Sequence, residues 1–272
     1  MYKLVGIDMD GTLLRDDKSI SEENYNAIQK AKELGIKIVL ATGRPLKGIE
    51  TYLKQLKLTS EGDYSVAFNG AVVQKNHNGE VISENLLKHE DLKYLYSLSK
   101  ELSVNIHTLT FDFCAASKLN KYSKLEASLN KIPLKILDLN EIPDYVPIIK
   151  VMFVDEEAKI SRAIENLPKT VYEKYTVLRS EPYFLEFINK NVNKGFGIQV
   201  LKEKLNISRD EIMCIGDAGN DIHMIKYAGL GVAMENAFSD AKRVADYITK
   251  TNEQNGVAHV INKFILEQCA VK

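Results

Sequence analysis

The residues best suited to chemistry fall in four short stretches. Asp8-Met9-Asp10-Gly11-Thr12 places two carboxylates within five residues. Thr42-Gly43-Arg44-Pro45 adds a hydroxyl and the backbone N–H groups of a glycine turn, which are phosphate ligands by chemistry, although the same letters make a good turn before a helix. Asn193-Lys194-Gly195 brings a cation, and Gly216-Asp217-Ala218-Gly219-Asn220-Asp221 brings two more carboxylates and an amide. Each stretch alone has a plain explanation: a polar loop with a turn glycine, or a solvated lysine at a helix start. An EF-hand does not fit the first, because Leu13 stands where that loop needs its glycine and no helix precedes it. Taken together, the four would make an acidic site with phosphate ligands and one cation.

Their positions depend on the elements that precede them. Residues 4–7 form a short apolar run, and Asp8 follows directly. Ser21 can cap a helix whose first turn holds Glu22 and Glu23 and whose apolar positions are Ile28, Ala31 and Leu34, with Gly35 as its stop. A second strand over 36–41 delivers Thr42, an amphipathic helix carries Leu46, Ile49, Leu53 and Leu56, and a third strand runs through 64–68. These β-α-β units predict a parallel sheet, and an open sheet of that kind binds ligands at the carboxyl ends of its strands. Asn78-Gly79 between extended runs predicts a hairpin with a tight two-residue turn. Helical patterns at 91–102, 121–129 and 156–167 then alternate with strand-like runs at 104–110, 148–154, 176–179 and 184–188. A helix over 194–205, a strand over 212–215, a helix at 224–228, a strand over 230–233 and two closing helices resume the first pattern. The expected fold class is α/β: a doubly wound, Rossmann-like parallel-sheet core (1–82 and 191–272) with an inserted α+β cap (83–190). The two crossing segments can act as a hinge.

Composition restricts the setting. At about 150 residues per domain, 272 residues suit two compact units. A net charge of −1 without like-charge blocks lacks the field that non-specific nucleic-acid binding needs. No apolar run is long enough to span a bilayer, and acidic residues come too early for a secretion signal, so the expectation is a cytoplasmic protein without membrane or nucleic-acid partners. Three cysteines without CxxC spacing argue against a disulfide framework, and the terminal Cys269-Ala-Val-Lys272 ends in the wrong residue for a lipidation box.

The four stretches in this order, with Phe68-Asn69-Gly70-Ala71 between the second and third, resemble the haloacid-dehalogenase-like phosphatase superfamily, in its Cof-type, subfamily IIB sugar-phosphatase branch with a large α/β cap. The resemblance implies that Asp8 attacks phosphorus and forms an aspartyl-phosphate. It implies Mg²⁺ held by the carboxylates of Asp8 and Asp217 and the backbone carbonyl of Asp10, with Asp221 orienting metal waters or Lys194. Asp10 becomes the general acid and base, while Thr42, Lys194, Asn220 and the loop N–H groups near Met9 and Gly43 bind phosphoryl oxygens. Arg44 and Asn69 either face the leaving group or brace loops.

Other chemistries fit less well. There is no GxxxxGK[ST] loop, and Gly229-Leu-Gly231 lacks the third glycine of a dinucleotide fingerprint. Cysteine phosphatases need an arginine close after the thiolate, whereas Asn120 and Asn220 stand six positions after Cys114 and Cys214. The five histidines (77, 89, 107, 223, 259) show no paired ligand spacing and read as surface or satisfied core residues. Tyr94, Tyr96, Tyr172, Tyr175 and Tyr183 of the insert can stack on a sugar or an aromatic substrate, but core packing explains most of them as well. The expected activity is a Mg²⁺-dependent phosphatase for small phosphorylated metabolites, most of all sugar phosphates. A phosphosugar mutase and a non-catalytic phosphosugar sensor are its alternatives.

Overall fold

The computed structural model describes residues 1–270, with side chains through residue 268; the tetrapeptide that begins at Cys269 lies outside the described side chains. The chain divides into two compact units, 1–84 with 193–272, and 85–192. The first unit begins β1 (Leu4–Ile7), α1 (Glu22–Glu33), β2 (Lys37–Ala41), α2 (Leu46–Gln55) and β3 (Tyr64–Ala67), followed by the hairpin β4 (Val72–Lys75) and β5 (Val81–Glu84). Ser21 accepts a hydrogen bond from Asn24 N and caps α1, with Glu22 and Glu23 beside the positive end of its dipole.

The second unit comprises α3 (His89–Glu101), β6 (Asn105–Leu109), β7 (Cys114–Ala116), α4 (Lys121–Leu129), β8 (Leu134–Ile136), β9 (Lys150–Val154), α5 (Glu157–Glu165), α6 (Lys169–Lys174), β10 (Tyr175–Glu181) and β11 (Phe184–Asn189). The chain then returns to the first unit with α7 (Lys194–Leu205), β12 (Ile212–Gly216), α8 (Ile222–Tyr227), β13 (Leu230–Ala233), α9 (Ser239–Val244), β14 (Tyr247–Ile248) and α10 (Gly256–Ile261), which runs into a π-helical turn at Asn262–Leu266. No helix among the described residues is long and apolar enough to cross a membrane.

The sheet of the first unit has the order β14-β13-β12-β1-β2-β3-β4-β5. It is parallel from β14 to β3 and antiparallel through the hairpin. Successive residues of β1 face opposite sides: Val5 and Ile7 join one apolar cluster with Ile28 and Ile49, and Leu4 joins another with Ile198 and Leu201. Coverage on both faces explains why these strands read as unbroken apolar runs rather than alternating ones. The expected boundary at 82/83 cuts β5, whose pairing to β4 keeps it in this sheet.

The hairpin forms at its expected place but through a four-residue loop, with Lys75 N bonded to Glu80 O. Asn76 turns inward instead of continuing the strand. It accepts from Ser65 Oγ (2.7 Å) and donates to Leu58 O (2.9 Å), so strand pairing stops at Lys75 and the loop lengthens from two residues to four. The sequence pattern does not reveal the short strands β7 and β8, the small helix α6 and the two-residue β14, since two to six residues carry little periodicity.

The second sheet, β10-β11-β9-β6-β7-β8, is antiparallel except for β7 with β8. Val151 and Phe153 of β9 enter an apolar cluster with α3 and α5. On the opposite face of β9, beside the apolar Met152 and Val154, Lys150 is buried and paired with Glu126 Oε1 and Glu186 Oε2, both at 3.1 Å. Of the tyrosines, Tyr175 is core and donates to Asp91 (2.9 Å), whereas Tyr94 and Tyr172 are exposed.

His107 is fully buried on β6, hydrogen-bonded to Ser123 Oγ (3.0 Å) and beside Met152 Sδ. Burial, reinforced by the Lys150 charge, depresses its pKa to about 3. Between the unfolded value of about 6.5 and this folded one, the unfolded chain holds a proton that the folded chain does not, so stability falls as the pH drops through that window. Urea unfolding of wild type between pH 7 and 4 is expected to show up to about 1.4 kcal/mol more loss per pH unit than His107→Gln. An equal loss in both proteins would place the acid sensitivity elsewhere.

Candidate active site

Three neighbouring strands end together. Ile7 pairs with Ile215 of β12 on one side and with Leu40 of β2 on the other, so Asp8, Asp217 and Thr42 emerge from adjacent strand ends. The chain leaves β1 toward β2 and later returns on the opposite side at β12, which makes this the point where the strand order reverses. Lys194 arrives as the first residue of α7, whose N-cap Asn193 accepts from Phe196 N (2.9 Å).

Asp8, Asp217 and Asp221 each offer a carboxylate oxygen within 4.8 Å of the others. Lys194 is fully buried; its Nζ donates to Asp8 Oδ1 and, at 2.7 Å, to Asp221 Oδ1. Asp221 Oδ2 accepts from Asp217 N (3.0 Å) and Ala218 N (2.9 Å), so this carboxylate both orients the lysine and shapes the loop behind Asp217. Thr12 Oγ1 donates to Asp217 Oδ1 at 2.7 Å.

With all four groups ionised, three carboxylates against one ammonium leave two negative charges in a buried space. Burial, and then the Asp221 charge, push Asp8 well above the usual carboxylate range, and burial raises Asp217 to about 6. The same carboxylates hold the Lys194 ammonium protonated, against the cost of its own burial. A hard divalent cation fits this donor set, because it prefers oxygen ligands and its charge equals the excess.

Asp10 is in a different environment. Arg44 grips it in two-pronged fashion, Nε to Oδ2 at 2.9 Å and Nη2 to Oδ1 at 2.6 Å, and Lys18 Nζ donates to the same Oδ1 at 2.8 Å. Burial works against ionisation, but these two cations outweigh it and hold Asp10 below its usual range.

The remaining expected residues are placed as follows. Thr42 is buried, and its hydroxyl accepts from Arg44 N (3.1 Å). Met9 is fully buried. Asn69 N donates to Thr42 O, while its side-chain oxygen accepts from Asn220 Nδ2 at 2.9 Å, which ties the second and fourth stretches together. A Cβ on Gly43 would lie 3.2 Å from the Asn69 amide. Of the alternatives considered for Arg44 and Asn69, the contacts seen here are the bracing ones. Phe68 and Asn69 both have positive φ, and Gly70 (φ 99°) packs against the Asn193 carbonyl, where no side chain would fit. This turn sets the start of α7, and therefore Lys194. Cys114 and Cys214 are buried with thiols pushed up, Cys114 to about 12, which disqualifies them as nucleophiles.

Sequence reasoning missed Thr12, Lys18 and Asn236, whose Nδ2 donates to Gly11 O at 2.7 Å. Thr12 carried a signal, as the hydroxyl closing the first stretch. Lys18 carried none, because its reach depends on a turn in which its own φ is 66°.

A family model for the haloacid dehalogenase-like hydrolases matches residues 5–261. The Bacillus subtilis (strain 168) protein named "Putative phosphatase YxeH" is 43% identical over 98% of this chain and 99% of its own. A second protein of that organism, 5-amino-6-(5-phospho-D-ribitylamino)uracil phosphatase YcsE, is 32% identical over 97% of this chain and 96% of its own. Among solved structures, the subclass IIB sugar phosphatase BT4131 of the same superfamily superposes with a TM-score of 0.80 at 25% identity, covering 96% of this chain and 98% of that one. The chain belongs to the haloacid dehalogenase-like hydrolases and is an enzyme of their phosphatase type.

Gly11 has φ 81°, and a Cβ there would lie 2.5 Å from Asp217 Oδ2. Gly11→Ala is therefore expected to cost about 1 kcal/mol or more in urea unfolding, from the backbone alone, and to weaken divalent-cation binding by displacing Asp217. Isothermal titration with Mg²⁺ checks the second effect.

Proposed function

We propose that this protein is a Mg²⁺-dependent phosphatase that hydrolyses small phosphorylated metabolites, sugar phosphates foremost, through an aspartyl-phosphate on Asp8. The observation that carries the reading is the Lys194 ammonium bound at once to Asp8 and Asp221, with Asp217 alongside. A pure binding site has no need of a carboxylate held at a strand end beside a cation, and an in-line nucleophile does.

Asp8 Oδ attacks phosphorus as the bond to the leaving oxygen breaks. Asp10, two residues on, gives that oxygen the proton it took from the hydrolytic water of the preceding turnover, or from solvent before the first, and regains one from the water that hydrolyses the aspartyl-phosphate. Lys194, the Thr42 hydroxyl, the Asn220 amide and the N–H groups of the turns at Met9 and Gly43 bind phosphoryl oxygens, where charge is spread in a loose transition state. Mg²⁺ would be held by Asp8, Asp217 and the Asp10 carbonyl, and supplies charge neutralisation for the approach of one anion to another. Asp221 is fully engaged by Lys194 and two N–H groups, which suits an orienting role.

These residues recognise phosphate and treat every leaving group alike. Selection of the leaving group is assigned to the inserted unit. A polyhydroxylated primary phosphate is favoured because BT4131 is a sugar phosphatase and YcsE acts on a phosphorylated ribitylamino compound.

Phosphate release from a panel of hexose, pentose and pentitol phosphates, nucleotides and p-nitrophenyl phosphate is expected to require Mg²⁺ and to stop with EDTA. Asp8→Asn should abolish it, and Asp10→Asn should lower kcat for sugar phosphates by about 10²–10⁴-fold. Turnover that appears only with a bisphosphate activator would establish the mutase instead, and tight binding of one ligand by the Mg²⁺-loaded protein without turnover would establish the sensor. Saturating Mg²⁺ should also raise the melting temperature of wild type by a few degrees, about 2–3 kcal/mol at a hundredfold excess over Kd, and do less for Asp217→Asn.

A further inference from the structure

Lys18 stands in a conformation that lysine seldom adopts. Its φ of 66° puts it in the left-handed region, which costs a side-chain-bearing residue about 1–2 kcal/mol and which glycine or asparagine would occupy more cheaply. The turn around it is fixed by its surroundings. Arg15 N donates to Ser19 O (3.0 Å), Lys18 N to Arg15 O (2.9 Å), and Asp17 Oδ1 accepts from both Ser19 N and Ser19 Oγ. From α2, the Tyr52 hydroxyl donates to the Lys18 carbonyl at 3.2 Å. The result of this strained turn is that the Lys18 ammonium reaches Asp10 Oδ1.

Tyr52 also serves the second cation on Asp10. Its ring lies 5.8 Å beneath the Arg44 guanidinium. One tyrosine thus supports both residues that grip one carboxylate, and the two grip it from different loops. Arg44 bonds both oxygens, and Lys18 adds a third donor on Oδ1 from the opposite end of the loop.

We propose that Lys18 is a positioning residue for Asp10: with Arg44, and with Tyr52 supporting both, it fixes the carboxylate in the place from which Asp10 serves the leaving oxygen and the attacking water. The inference rests on the acid and base role given to Asp10 above. Lys18 touches no reacting atom, and its whole effect passes through Asp10. An exposed ion pair in a merely structural role would instead contribute a few tenths of a kcal/mol to stability and leave turnover unchanged.

The test is a cycle of Lys18→Met, Asp10→Asn and the double variant, assayed with a hexose phosphate and, by pre-steady-state release, with p-nitrophenyl phosphate, whose leaving group departs without a proton. Lys18→Met is expected to lower kcat on the hexose phosphate about tenfold, part of the 10²–10⁴-fold that acid and base catalysis supplies, with KM nearly unchanged. The first release of p-nitrophenol should change by less than about threefold. In the Asp10→Asn background the same substitution should have no further effect, since the two act as one unit. Lys18→Arg, which keeps the charge and reach, should recover part of the loss. Equal losses on both substrates, or losses that multiply in the double variant, would overturn the proposal while leaving the phosphatase reading intact. Wild type that shows no Asp8-dependent turnover would overturn the phosphatase reading and this inference with it.

Discussion

The rest of the first unit is arranged around a lysine ammonium held inside the protein between two carboxylates. An unpaired charge buried to that depth would cost several kcal/mol, so Lys194 is tolerable only while Asp8 and Asp221 stay in reach. That requirement constrains the backbone in three places. β1 and β12 must be neighbours in register, so that Asp8 and Asp217 leave the sheet together. α7 must begin at Lys194, which the Asn193 cap ensures. The turn at 68–70 must pass close against the Asn193 carbonyl, which accounts for two side-chain-bearing residues at positive φ followed by a glycine.

The elements that were legible in the sequence are those whose residues obey one rule along their whole length. β1 and β12, and β2 after its opening Lys37, are runs without polar side chains because both faces are covered, and α1 carries a cap, an acidic first turn and a stop glycine. The four chemical stretches were legible because each follows such a strand or opens such a helix. What escaped depends on contacts between distant residues. Nothing near Asn76 announces that its side chain will fold inward toward Ser65 and Leu58, and nothing near Lys18 announces a left-handed turn that ends on Asp10. Arg44 was legible as a residue of interest but not in its task, since the same guanidinium can grip an incoming anion or a resident one, and only the position of Asp10 decides.

Among the described residues two lysines are buried, Lys150 and Lys194, and their surroundings differ in a way that separates chemistry from architecture. Lys150 sits between Glu126 and Glu186, on three elements of the second unit that pack together regardless of any ligand. His107 nearby stays neutral, so its proton adds nothing to the balance. One negative charge remains, shared by two carboxylates that both contact the ammonium. Around Lys194 the excess is two, and Asp217, the third carboxylate, is bonded through Thr12 rather than through the lysine. A site built only for stability would not bring a third carboxylate to within 4.8 Å of two others and leave its pKa raised to about 6. The burial and like charge that push Asp8 and Asp217 up would favour a divalent cation beside them, since its charge offsets the two excess carboxylates.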